Sequence, residues 1–269
     1  MTRLLLGAAL LLIASYAQAD TLRLAVTTSF HNSGLSDVLL PAIKADTGLD
    51  VRLLIFGTGQ ALRLGKAGDV DALIVHARTA EEAFIAEGAG THRTEIMYND
   101  FVILGPSSDP AGIAKAFTAQ AAFARIRQAK TPFISRGDES GTHQKEKEIW
   151  QSLASEPDDF GPWYLSVGAS MGSSLNTAAA LNAYILTDRA SWLNFGNPGE
   201  LTVLFDGDPV LFNQYSFLPV NPDRHPHVKR QAVQQLEAWF VSDRAQTLID
   251  GYQINGQPVF TFNAKDTEP

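Results

Sequence analysis

Ser135-Arg136-Gly137-Asp138-Glu139-Ser140-Gly141-Thr142-His143 is the stretch whose reading decides the fold. Thr131-Pro132-Phe133-Ile134 before it is apolar and β-prone, and Gln144 to Ala154 after it carries helix formers with Ile149, Trp150 and Leu153 on one face. The segment is therefore a strand-to-helix turn. Ser140 and Thr142 are helix-capping types, Gly141 lets a ligand approach the backbone, and the first amides of a helix have no partner of their own. Arg136 adds a planar fork of donors that Asp138 can hold from behind. Such a turn attracts anions.

The same layout recurs upstream. Thr21 to Val26 reads as a strand ending in Thr27-Thr28-Ser29, followed by a helix through Leu35, Leu39 and Ile43 in which Pro41 is an expected interruption. Val51 to Phe56 is a second strand, running into Gly57-Thr58-Gly59 and a helix through Leu62 and Leu64. Asp71 to Val75 is a third, and Thr79-Ala80-Glu81-Glu82 reads as a capping box. Alternating strands and helices imply a parallel sheet covered on both faces, with ligands bound outside the carboxyl ends of the strands.

Phe101 to Gly105 is an apolar strand stopped at Pro106, and Ala111 to Gln128 reads as helix. A second set of strands is expected at Pro132–Ser135, Tyr164–Val167, Tyr184–Leu186 and Leu201–Phe205, making its own sheet. Val210 to Val220 is a further long apolar stretch, followed by helices over Val228–Val241 and Arg244–Ile249. Crossings near Leu104 and within Val210–Val220 give two lobes, residues 20–103 with 215–269 and residues 104–214. A ligand cleft is expected between them.

With 269 residues, 45% of them hydrophobic, the chain can bury a sizeable core, and it has no cysteine for disulfides or lipid attachment. Met1 to Ala19 has a basic start, an apolar run and an Ala17-Gln18-Ala19 ending, the pattern of a secretory signal peptide over residues 1–19. Removing Arg3 with it leaves 20 basic against 29 acidic residues, a net charge of −9. That argues against nucleic acid and anionic membranes, and no later segment is long and apolar enough for membrane insertion. An anion would have to be held by local, aimed dipoles.

A fully ionised oxyanion presents acceptors only, so its site should be built of N–H, O–H and guanidinium donors. The residue types in the turns fit that requirement. Phosphate keeps a proton at neutral pH and needs an acceptor carboxylate; neither Thr27-Thr28-Ser29 nor Gly57-Thr58-Gly59 has one, although Asp138 is available if Arg136 leaves it free. Gly168-Ala169-Ser170-Met171-Gly172 matches a nucleophile elbow, so a secreted serine hydrolase is the alternative of another class. Ser170 would be its nucleophile, His225 or His227 the base and Asp206 or Asp208 the orienting acid. His31, His92 and His143 lack the paired spacing of a metal site, and Trp150, Trp163, Tyr164 and Trp192 read as core.

Jointly these features resemble the tungstate-binding proteins of bacterial ABC importers. The motifs carrying the resemblance are Thr27-Thr28-Ser29, the Ser135 to His143 turn, Gly68-Asp69-Val70-Asp71, Val75-His76-Ala77, Met171-Gly172 and Leu186-Thr187-Asp188-Arg189. The resemblance implies a two-lobed type II periplasmic-binding-protein fold, each lobe a mostly parallel sheet flanked by helices and joined by two crossover strands. It implies a monomer without cofactor or catalytic residues that takes tungstate, and possible relatives such as molybdate, to a membrane permease; phosphate- or sulfate-binding proteins share the fold. Carried over by position, Thr27, Thr28, Ser29 and Thr58 would contact the oxyanion from the first lobe. Arg136, Ser140, Gly141, Thr142 and the Ser170, Met171, Gly172 turn would do so from the second, with no direct metal ligand. The chain departs from that family at Ser173-Ser174, where an acidic residue is expected.

Overall fold

The computed structural model describes residues 21–157 and 160–264; the leader expected over residues 1–19 lies outside the described residues. Strand β1 (Leu22–Thr27) runs parallel between β2 (Val51–Phe56) and β3 (Ala72–Val75), with Val26 opposite both Ile55 and Ile74. Neighbours on both sides and helices on both faces explain why β1 and β3 are apolar almost without interruption. The arrangement repeats further on. Strand β5 (Phe133–Ser135) runs parallel between β6 (Tyr164–Ser166) and β7 (Tyr184–Asp188).

The long strand β4 (Thr94–Pro106) joins the two halves. Up to Asp100 it pairs antiparallel with β9 (Phe212–Pro219), which itself lies against β3. From Phe101 onward it pairs with β7 and then with β8 (Leu201–Phe205). With β12 (Thr261–Phe262) on the first part of β4, the strands form one ten-stranded sheet rather than two, an eight-stranded path from which β8 and β12 branch at β4. The antiparallel pairs are those made by the connecting strands β4 and β9, and the expected parallel triples lie at either end.

The β1 half packs Leu24, Leu73, Phe217 and Phe240 into one core, beneath α2 (Leu35–Thr47) and α9 (Arg230–Phe240). The β5 half has a core on each face. One gathers Phe123, Phe133, Trp150, Trp163 and Tyr184; the other gathers Leu104, Ile134, Met171, Leu175 and Ile185. Trp150, Trp163, Tyr164 and Trp192 accordingly pack within or against these cores. α10 (Asp243–Asp250) and the hairpin β10 (Gln253–Ile254) and β11 (Gln257–Pro258) follow α9.

Three local expectations are corrected. Pro41 sits inside α2 without interrupting it, because Pro41 and Asp37, whose carbonyl loses its helical donor, are both on the exposed face. The helix expected from Ala111 is confined to α5 (Ala119–Ala129). Asp109 accepts from the amides of Ile113 and Ala114, both at 2.9 Å, and closes a separate 3₁₀ turn, while Thr118 caps α5 through the Ala121 amide. Helix α4 (Arg78–Ala86) starts ahead of Thr79, so Thr79 is not its cap; Glu81 reaches back to the Ala77 amide at 2.7 Å instead. Thr94 to Asp100, the first part of β4, is an element the sequence reading did not name; its apolar run, Ile96-Met97-Tyr98, is short and bracketed by polar residues.

Candidate functional site

Four helices begin at the carboxyl ends of parallel strands and face one another. α1 (Thr28–Asn32) follows β1, and α3 (Thr58–Ala67) follows β2. α6 (Gly141–Ser152) follows β5 through the Arg136 turn, and α7 (Met171–Leu181) follows β6. A cleft of about 200 Å³ lies between their starts. Thr28, Gly57, Gly59, Gln60 and Arg63 line it from the β1 half, and Arg136, Asp138, Glu139, Gly168, Ala169 and Ser170 from the β5 half. The first amides of each helix have no partner inside it, and the aligned peptide dipoles add partial positive charge there.

Thr27, Ser29, Thr58, Ser140 and Thr142 are buried at the same helix starts, deeper than the lining residues. Thr27 caps α1 by accepting from the Phe30 amide at 3.2 Å, and Ser140 caps α6 by accepting from His143 at 3.3 Å. Thr58 Oγ1, Thr142 Oγ1 and Arg136 Nε, all buried, have no hydrogen-bond partner. An unpaired buried polar group costs about 1–3 kcal/mol. These atoms can all donate, and they come from both halves of the sheet.

Arg136 is fixed from behind. Its Nη2 binds Asp138 Oδ2, and Asp138 Oδ1 accepts from the Ser140 amide at 3.2 Å, so both carboxylate oxygens are engaged. Gly137 makes the turn with φ 61°, in the left-handed region that favours glycine. Asp188, at the end of β7, is fully buried and accepts from the amide and hydroxyl of Ser191 at 2.9 and 2.7 Å. Burial raises its carboxyl above the ordinary value, against those bonds and the field of Arg136.

In the β1 half the groups around His76 are paired, although Thr58 Oγ1 is not. His76, following β3, meets Asn213 Oδ1 through Nδ1 at 2.7 Å and Ser29 Oγ through Nε2 at 3.0 Å. Asn213 Nδ2 donates to Asn99 Oδ1 at 2.6 Å, which leaves Asn213 Oδ1 as the acceptor for a His76 Nδ1–H. The Ser29 hydroxyl therefore donates to Nε2. Burial lowers the His76 pKa to about 4, and the Arg136 charge acts in the same direction, so the ring is neutral near pH 7. Ser29 thus offers its amide, not its hydroxyl hydrogen, to the cleft.

The remaining expected residues scatter. Ser170 lines the cleft, with its hydroxyl 3.3 Å from Ser173. The Met171 side chain belongs to a hydrophobic core, and Gly172 borders a separate hollow beside Asn32 and Asn194. The hydrolase constellation is not assembled. His225 and His227 approach the Lys66 and Gly68 carbonyls at the end of α3; Asp206 pairs with Arg189; Asp208 accepts from Ala119 and Val210. His76, Asn213, Asp188, Arg63 and Glu139 were missed as site residues. His76, Asp188 and Glu139 lie in stretches the sequence already marked, Val75-His76-Ala77, Leu186-Thr187-Asp188-Arg189 and the Ser135 to His143 turn, whereas Arg63, within α3, and Asn213, near the start of β9, carry no such signal.

A sequence profile for the PBP superfamily domain matches residues 14–244. The tungstate-binding protein TupA of Peptoclostridium acidaminophilum is 41% identical over 245 residues, covering 90% of this chain and 85% of that one. A solved structure of the tungstate-binding protein TupA from Desulfovibrio alaskensis G20 has a TM-score of 0.80 and 43% identity, covering 91% of this chain and 99% of that one. The tungstate ABC transporter structure from Geobacter sulfurreducens gives 0.79 and 44%, covering 87% and 99%.

Proposed function

The chain belongs to the PBP superfamily, and from that premise we propose that it is a periplasmic receptor that captures tungstate, and molybdate as a close second, for an ABC importer. The observation that carries this reading is the set of buried donors without partners at the helix starts around the cleft, Thr58 Oγ1, Arg136 Nε and Thr142 Oγ1, contributed by both halves of the sheet. A tetrahedral dianion supplies acceptors in every direction and no hydrogens, which matches that set. The names of the relatives support tungstate in particular.

In this reading residues 20–103 with 215–269 and residues 104–214 are the two lobes that close on the ligand. Thr28 and the amides at the starts of α1 and α3 serve one side with Thr58; Arg136, Ser140, Gly141, Thr142 and the Ser170 turn serve the other. One chain contains both sides, so the receptor works as a monomer that presents its closed form to a permease. Asp138 binds Arg136 Nη2 with one oxygen and the Ser140 amide with the other, so it holds the guanidinium in place for the ligand. The protein binds its ligand without transforming it, and the leader at 1–19 delivers it to the periplasm.

Calorimetric titration with tungstate, molybdate, sulfate and phosphate tests the proposal. Tight binding of tungstate and molybdate, with phosphate far weaker, is expected. Phosphate binding as tight as tungstate would overturn the assignment.

A further inference from the structure

The imidazole of His76 stands where the two halves of the molecule touch. Both its nitrogens are engaged, by Asn213 and by Ser29, and the Tyr215 ring lies against it with centroids 4.7 Å apart. Phe101 stands further off at 6.3 Å. The ring has no freedom to turn aside.

Against it, from the other half, comes Gly141, the first residue of α6. A Cβ added to Gly141 would fall 2.5 Å from His76 Cε1 and 2.7 Å from Nδ1, closer than real Cβ contacts come. Gly141 has no left-handed φ, so space and not backbone conformation is what calls for glycine here. A second contact across the cleft has the same sense: Arg63 Nη1 of α3 is 3.7 Å from Glu139 Oε2, two residues before Gly141. Glu139 is mostly exposed and holds nothing rigidly; His76 is buried and does.

We propose that His76 is a positioning residue for ligand capture, the rigid seat on which the Gly141-Thr142 helix start comes to rest as the lobes close. The seat sets how near the donors of one lobe come to those of the other. Residues next to the ligand on either side, Thr142 and Ser29, are each within one bonded or hydrogen-bonded step of this contact. The inference rests on reading the cleft as an oxyanion site.

The test uses the full mature chain, tungstate calorimetry and thermal unfolding without ligand. Gly141→Ala is expected to weaken tungstate binding by roughly tenfold or more, because a methyl forced into a filled contact holds the lobes apart. The ligand-free melting temperature should stay close to wild type, since lobes that are apart do not make the contact. His76→Ala in the Gly141→Ala background removes the ring and should recover at least about threefold of the lost affinity, the non-additivity expected of touching residues. If His76→Ala does not fold, the shorter His76→Asn takes its place. Wild-type affinity in Gly141→Ala, a double variant no better than Gly141→Ala, or a ligand-free melting temperature that drops sharply in Gly141→Ala would each overturn the seat. A wild-type chain that binds no oxyanion would overturn the reading of the cleft, and the seat with it.

Discussion

The two halves of the site are built on the same plan with different chemistry. Each has a central parallel strand (β1, β5) that ends in a donor turn, an outer strand (β2, β6) that runs into a glycine-bearing helix start, and an inner strand (β3, β7) ending beside a buried titratable group. In the β1 half that group is His76, neutral and tied into a hydrogen-bond network with Ser29, Asn213 and Asn99. In the β5 half it is Asp188, beside Arg136 and donors that lack acceptors. The difference teaches that a site for an anion can place a neutral, hydrogen-bonded positioning cluster in one half and its charged group in the other. The first fixes geometry; the second supplies charge.

The pH dependence of stability offers the largest test of this contrast. His76 has its folded pKa depressed to about 4 from 6.5, so its protonated form is disfavoured in the fold and its contribution to stability is lost as pH falls from about 6.5 to 4. Glu146, buried in α6 under Tyr164 and Trp150, is pushed up by burial to about 7 from 4.5. Its folded pKa is raised, so its contribution is full below about 4.5 and is lost as pH rises through about 7. The two oppose each other. Glu146→Gln should raise stability at pH 8 by about 2–3 kcal/mol and unmask the rise between about pH 4 and 6.5 that His76 produces. Urea unfolding at a series of pH values checks it, and a Gln variant less stable than wild type at pH 8 would show that the carboxylate is well solvated.

Arg136→Ala comes next, with an expected affinity loss of about 1.5–3 kcal/mol for a charge-assisted hydrogen bond, read by calorimetry with tungstate. Unchanged binding would place the charge of the site elsewhere. Thr142→Val keeps the side-chain shape and removes an unpaired buried hydroxyl. It should leave ligand-free stability in urea unfolding within about 0.5 kcal/mol of wild type, since open lobes leave the hydroxyl to water, while weakening tungstate binding by about 1 kcal/mol. Equal losses in both measurements would mean the hydroxyl is paired within the fold. Smallest is Ser170→Ala: an exposed hydroxyl at the rim should change stability by no more than about 0.5 kcal/mol. A serine-directed fluorophosphonate should leave the wild-type chain unlabelled at this residue, and labelling there would restore the hydrolase reading.

Reading the sequence worked best where one residue type does a local job. The donor turns at Thr27, Thr58, Arg136 to Thr142 and Ser170 all fall at helix starts, because capping and strand termination are encoded within a few neighbouring residues. It was weaker where a side chain answers to something distant. Thr94 to Asp100 pairs with β9 along its length, although only Ile96, Met97 and Tyr98 of it are apolar. Thr79 looks like a cap, but Glu81, itself held by Arg93 at 2.6 Å, closes the turn one step earlier.

By itself, the order of residues determined alternating strands and helices, the positions of the turns, and the hydroxyl and guanidinium donors those turns carry, since each depends on torsional preference and hydrogen-bonding type over a short span. Tertiary structure alone decided which donors remain free. Ser29 is engaged by His76, and Asp138 by Arg136 and Ser140, while Thr58 and Thr142 are not engaged at all. Whether a hydroxyl faces a ligand or a neighbour depends on groups brought within 3 Å by folding, and Asn213 stands 137 residues from the histidine it orients.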